Sequence, residues 1–136
     1  MSILYPVFAL AGLTLFFAFR MGFLRYGAVR RGEVDGRFYR LYEGEGEPAN
    51  LRVLTRHVIN LYEAPILFYV VSIIAYVTGT ESTLIIVLAW AYVALRFAHS
   101  YVHLTTNRVV NRFRVFATSQ LLLLALWIVV LLSLPR

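Results

Sequence analysis

Arg56, Asn60 and Glu63 stand at i, i+4 and i+7 in a segment that is otherwise apolar from about Val53 to Thr78. At about 100° per residue the three share one helix face, spread over roughly 60°. Further along, Arg96, His99 and His103 stand at i, i+3 and i+7, again within about 60°, with Tyr92 one turn before Arg96 on the same side. Arg108 and Arg112 follow in a short basic link. Guanidinium groups suit planar, bidentate capture of carboxylate or phosphate. The carboxylate of Glu63 suits an ammonium group or a neighbouring arginine, and an arginine is its predicted partner, because an unpaired carboxylate in an apolar setting is badly destabilising. All thirteen basic residues are arginine, which GC-rich coding also produces, and the net charge is +6. The absence of cysteine excludes disulfides, thiolate metal sites and a cysteine nucleophile on the chain itself.

The elements that must position these residues are membrane spans. Of 136 residues, 60% are hydrophobic and the mean hydropathy is +0.72, beyond what a soluble domain of this size needs. The apolar residues fall in four blocks of spanning length, about 3–23, 53–78, 83–104 and 115–134, within a single domain over 1–136. Loop-like runs, Gly-Glu-Val-Asp-Gly at 32–36 and Glu-Gly-Glu-Gly-Glu-Pro at 43–48, fill the first connection. The start, Met1-Ser2-Ile3-Leu4, lacks a basic region and no small-residue cleavage site precedes Arg20, so no cleavable signal is expected. The 25–52 connection carries Arg25, Arg30, Arg31, Arg37, Arg40 and Arg52, and the link before the fourth span carries Arg108, Arg112 and Arg114; the other side has only Glu81 and Arg136. The positive-inside rule therefore predicts cytoplasmic arginine-rich loops with both termini outside. Short links predict an all-α, antiparallel, up-down-up-down four-helix bundle.

A charged residue deep in a bilayer helix costs on the order of 2.5–3.5 kcal/mol on insertion scales, so it faces protein or a polar cavity. In the expected topology both polar faces lie in the cytoplasmic halves of their helices, with Arg112 at the same level. Each residue also has a structural reading. Arg56 snorkels to headgroups, Asn60 bridges helices, Glu63 makes an ion pair with an arginine, and Arg108, Arg112 and Arg114 anchor lipid. His99 and His103 have the i, i+4 spacing of metal ligands, yet a third ligand is missing and the neighbouring arginines oppose a cation. No nucleic-acid patch, glycine-rich phosphate loop or serine elbow is present.

Arg56-x-x-x-Asn60-x-x-Glu63-x-Pro65, followed by Arg96-x-x-His99-x-x-x-His103 and Arg108-x-x-x-Arg112, resembles the MAPEG superfamily, the membrane-associated proteins of eicosanoid and glutathione metabolism. The likeness covers nearly the whole chain, and bacterial-type microsomal glutathione transferases are the members it most looks like. It implies a homotrimer of four-helix subunits that holds glutathione as co-substrate, with no metal, between adjacent subunits near the cytoplasmic side; in a bacterium that places it in the inner membrane. By this resemblance Arg56, Asn60 and Glu63 contact the tripeptide, with Glu63 on its α-amino group. Arg25 meets a glutathione carboxylate, Arg96, His99, His103 and Arg108 complete the binding set, and Arg112 stands next to the sulfur. The implied activity is transfer of glutathione to lipophilic electrophiles, or reduction of hydroperoxides, by a thiolate.

The chain also departs from that pattern. His103 stands where the synthases of the family have tyrosine, Phe113 and Phe116 where the prostaglandin E synthase type has serine and tyrosine, and Ala64 where many relatives have tyrosine. The hydroxyls that would hydrogen-bond the sulfur are therefore absent, and Arg112 is left to activate it by charge. Two other readings stand beside the enzyme: a non-catalytic lipid-binding or scaffold member of the same fold, and a small transporter or stability factor with a buried ion-pair network.

Overall fold

A computed structural model of the chain describes residues 2–41 and 46–135; part of the second loop-like run, 43–45, lies outside the described residues. Six helices follow in order: α1 (Leu4–Arg30), α2 (Gly36–Leu41), α3 (Ala49–Glu63), α4 (Ile66–Val77), α5 (Thr83–Leu104) and α6 (Val109–Ser133), with no strand among the described residues. Four helical stretches are long and apolar enough to cross a membrane: α1, α3 with α4, α5, and α6. At about 1.5 Å per residue even α5 spans roughly 33 Å, enough for a hydrocarbon core of about 30 Å.

Several ends differ from the sequence reading. α1 runs on to Arg30 rather than stopping near Phe23, α3 starts at Ala49 rather than Val53, and α6 starts at Val109 rather than Val115. Hydropathy marks where lipid ends, whereas a helix ends where its caps allow. α1 stops at Gly32, whose φ of 72° lets Gly32 N–H reach the Val29 carbonyl and Glu33 N–H reach the Ala28 carbonyl. The same pair of bonds closes α4 at Gly79, φ 65°. Both are glycine-dependent Schellman closures. α2 is a short helix inside a stretch expected to be loop. Its start is supported by the Asp35 side chain, which accepts from the Arg37 N–H at 2.8 Å.

The second span is not one continuous helix. Pro65 has no N–H for the Leu61 carbonyl, and α3 gives way to α4 across Ala64 and Pro65. The Tyr92 hydroxyl donates to the Ala64 carbonyl at the break, at 3.5 Å. The two pieces take different neighbours: α3 packs on α1 and α5, whereas α4 packs on α6 and α1. α5 lies along α6 over most of its length.

Two apolar cores result. One, at the end that carries the chain termini, joins Leu10, Phe68, Val71, Ile85, Leu126 and Val130. The other, at the end that carries the α1–α3 and α5–α6 links, joins Phe17, Ala28, Leu51, Leu54, Val58 and Leu61. Large apolar side chains such as Phe8, Phe19, Phe23, Val77, Leu121 and Leu132 face outward. In water so much exposed apolar surface drives aggregation; in lipid it costs nothing.

Candidate functional site

Beyond the first core, α5 turns polar, and α3 and α6 separate. Between them lies a cleft of about 400 Å³, lined by Arg56, Ile59, Asn60 and Glu63 of α3, His99 and His103 of α5, and Val109, Arg112, Phe113 and Phe116 of α6. Its size falls within the usual range for small-molecule sites. The cleft combines two guanidiniums, one carboxylate, one amide and two imidazoles with an apolar rim, of which Ile59, Val109 and Phe113 are exposed.

Arg112 is held in place from two sides. Its Nη1 donates to the Asn107 side-chain oxygen at 3.0 Å and approaches His103 Nε2 at 3.4 Å. Asn107 has a left-handed backbone, φ 46°, which asparagine tolerates better than most residues. Its N–H returns to the Val102 carbonyl and closes the end of α5, which aims its side chain at Arg112.

Arg96 is fully buried and does not line the cleft. Its Nη2 donates to the Asn60 side-chain oxygen at 2.5 Å and to the Asn60 carbonyl at 3.4 Å, and its Cζ lies 5.9 Å from the centre of the Phe116 ring. With the amide oxygen occupied, the Asn60 NH₂ is the group left to donate into the cleft. Nε and Nη1 of Arg96 have no partner among the described residues. Arg96 thus acts on the cleft through Asn60.

Three histidines meet behind the cleft. His57, on the buried side of α3, lies 5.1 Å from His103 and 6.3 Å from His99 between ring centres, and His99 and His103 are 5.6 Å apart. The edge of Phe17 closes the group from α1 at 4.9 Å. Both nitrogens of His57 and the Nδ1 atoms of His99 and His103 are buried without a partner among the described residues. No group of three His, Cys, Asp or Glu side chains among those residues is arranged to hold a metal ion. A second cavity, about 340 Å³, opens at the loop end between α1, α3 and the α5–α6 link, and His103 stands in its wall too.

The expected site residues therefore divide. Arg56, Asn60, Glu63, His99, His103 and Arg112 line one cleft, as the two helical spacings suggested. Arg96 stands behind it. Arg108 stands at the N-cap position of α6 without a side-chain capping bond, exposed and outside the lining. Glu63 is exposed and makes no ion pair among the described residues, so the arginine partner expected for it is not found among them. It lies at the open mouth of the cleft rather than in the interior of the bundle. Arg25 is already engaged: its Nε pairs with the buried Glu47 at 2.7 Å, its Nη2 reaches Thr55 at 3.1 Å, and Thr55 donates to Glu47 at 2.8 Å. Its guanidinium lies 5.0 Å from the Tyr39 ring centre. Burial, and then the Glu47 carboxylate, raise the Tyr39 phenol above its ordinary pKa.

His57, Asn107 and Glu47 were not singled out by sequence reasoning. His57 adjoins the apolar stripe Leu51, Leu54, Val58, Leu61, and a histidine beside such a stripe, facing a helix with two more, was the available signal. Glu47 sits in a run of alternating acids and glycines that gives no hint which acid is buried.

No curated protein and no solved structure matches the chain. The model of the MAPEG family, however, matches residues 3–132, and the chain is therefore an integral membrane protein belonging to the MAPEG family.

Proposed function

We propose that this protein is a glutathione-dependent transferase or peroxidase acting on lipophilic electrophiles or hydroperoxides. The observation that carries the reading is the single cleft in which three helices gather Arg56, Asn60, Glu63, His103 and Arg112. Family membership supports the use of glutathione, and the donor set fits an anionic tripeptide. Arg56 suits a carboxylate, the Asn60 NH₂ a backbone carbonyl, and Glu63 the α-amino group, a partner it lacks among the described residues. Arg112 then faces the sulfur, where a fixed guanidinium favours the thiolate over the thiol. The apolar rim of Ile59, Val109 and Phe113 suits lateral arrival of an apolar electrophile from lipid, which is attacked by the bound thiolate.

The cleft lies on the flank of the subunit, and we place a second copy against it in a homotrimer. The whole chain, 1–136, forms one transmembrane domain in this reading, with the arginine-rich loops and the cleft on the cytoplasmic side. Phe113 and Phe116 favour a second reading, because neither offers the sulfur a hydroxyl. A scaffold that binds a lipid in the cleft without chemistry needs no such group. A thermal-shift titration of the detergent-solubilised protein separates the two. The enzyme reading expects glutathione to raise the melting temperature in a saturable way. No shift with glutathione, together with a shift on adding a fatty acid, favours the scaffold.

A further inference from the structure

We propose that the loop-end cavity holds the headgroup phosphate of an anionic membrane phospholipid, with Arg20 as its counter-charge. This does not depend on the glutathione reading. The cavity, about 340 Å³, is walled by α1, the start of α3 and the α5–α6 link. Arg20, Leu24, Ala28 and Arg31 bring α1 to it at i, i+4, i+8 and i+11, one helix face spread over about 80°.

Arg20 is the group that calls for an occupant. It lies inside the apolar block 3–23, roughly 15 Å of helix before Arg30, and is exposed among Phe16, Phe19, Phe23 and Leu24, which are exposed too. No carboxylate pairs with it among the described residues. A guanidinium on the lipid side of a span needs an anion or water, and hydrocarbon offers neither. The other two charges of the cavity cancel, because Arg31 Nε and Nη2 hold the two oxygens of Glu33 at 2.6 and 3.1 Å. One positive charge is left over, and no free carboxylate lines the cavity to meet a choline or ethanolamine ammonium. Phosphate is the group a guanidinium binds best in a headgroup. Neutral donors stand nearby. The Asn50 amide has no partner among the described residues, and the Asn107 side-chain oxygen is taken by Arg112, which leaves the Asn107 NH₂ to donate. Leu24, Leu51, Leu54 and Leu104 supply an apolar wall that suits glycerol and the first chain carbons of a lipid. A soluble anion gains nothing from that wall, and the exposed Arg20 and Leu24 place the edge of the cavity on the bilayer side of α1.

The test titrates the delipidated, detergent-solubilised protein with phosphatidylglycerol or phosphatidylcholine and follows its melting temperature. Phosphatidylglycerol should raise the melting temperature in a saturable way, at concentrations about tenfold or more below those phosphatidylcholine needs. Arg20→Gln should weaken the phosphatidylglycerol response by about tenfold or more. Thr105→Trp, which narrows the cavity from an exposed lining position, should weaken it too. Arg37→Gln, at an exposed arginine outside the lining, should leave it unchanged. The melting temperature of each variant without lipid reports whether it folds. Equal responses to the two lipids overturn the proposal, as does a phosphatidylglycerol preference that survives Arg20→Gln. A preference lost in Arg20→Gln but kept in Thr105→Trp shows that the arginine meets headgroups outside the cavity, which also overturns it. An equal loss in Arg37→Gln reduces the effect to general charge attraction and does the same. Glycerol phosphate matching phosphatidylglycerol at equal concentration overturns the lipid as occupant in favour of a soluble anion.

Discussion

The two ends of the bundle solve opposite problems. At the terminal end, α4, the start of α5 and the end of α6 meet in a dry core; Phe68 stacks on Tyr92 at 4.7 Å, and Ala75 and Ala89 let the helices close up. At the loop end, His57, Arg96, His99 and His103 are buried with six of their nitrogens unpartnered among the described residues. In lipid there is no hydrophobic drive between helices, and packing contacts hold them together. The dry end supplies those contacts. The polar end gives up packing to keep α3 apart from α6, and the Pro65 break is what lets one span do both. The bundle is thus tightly packed at one end and opened into a polar cleft at the other.

The largest effect expected from breaking this division lies in the Arg96–Asn60 pair. Asn60→Leu strands a buried guanidinium and should cost about 3–5 kcal/mol of unfolding free energy. Adding Arg96→Met to that variant removes the stranded charge and should recover most of the loss, while glutathione binding stays weak because the oriented NH₂ is gone. Equal stability of the single and double variants in a denaturant titration would remove Arg96 from its supporting role. Next comes the dry core. Leu126→Ala should cost about 2 kcal/mol, at the low end for such truncations because lipid contributes no transfer term. The glutathione-induced shift in melting temperature should survive it, since Leu126 does not line the cleft; loss of that shift would show that the two ends are coupled. Glu47→Gln should cost about 1 kcal/mol by weakening the clamp on Arg25 and Thr55, and should loosen the first connection to proteolysis. The smallest effect should come from Ser2→Ala, about 0.5 kcal/mol. Glu81 accepts from both Ser2 Oγ, at 2.9 Å, and Ile3 N–H, at 2.6 Å, and keeps the second bond.

How far the sequence could be read follows the same division. The four spans were legible because runs of about twenty apolar residues leave few alternatives to a transmembrane helix. Convergence of Arg56, Asn60, Glu63, His99 and His103 was legible because helical spacing and matched depth are local properties of two helices. Tertiary choices were not. Arg25 and Arg96 have the same charge and similar settings in the sequence, yet one is held by a loop carboxylate 22 residues on and the other by an amide 36 residues back. No periodicity separates them. Pro65 was visible, but whether it kinks a span or breaks it depends on what α4 packs against. His57 was hidden by its neighbour Arg56, which points about 100° away around the helix and is exposed at the cleft.

We propose that the cleft binds glutathione and that Arg112 holds its sulfur as thiolate. The most direct measurement is the ultraviolet thiolate absorbance on adding glutathione to the solubilised protein and to its Arg112→Ala variant, with binding followed in parallel by thermal shift. The unaltered protein should give a saturable thiolate signal. In Arg112→Ala glutathione should still bind, the signal should vanish, and turnover of an aryl halide should fall by roughly a hundredfold or more. A thiolate signal of equal size in Arg112→Ala, or none in the unaltered protein despite saturable binding, would contradict it.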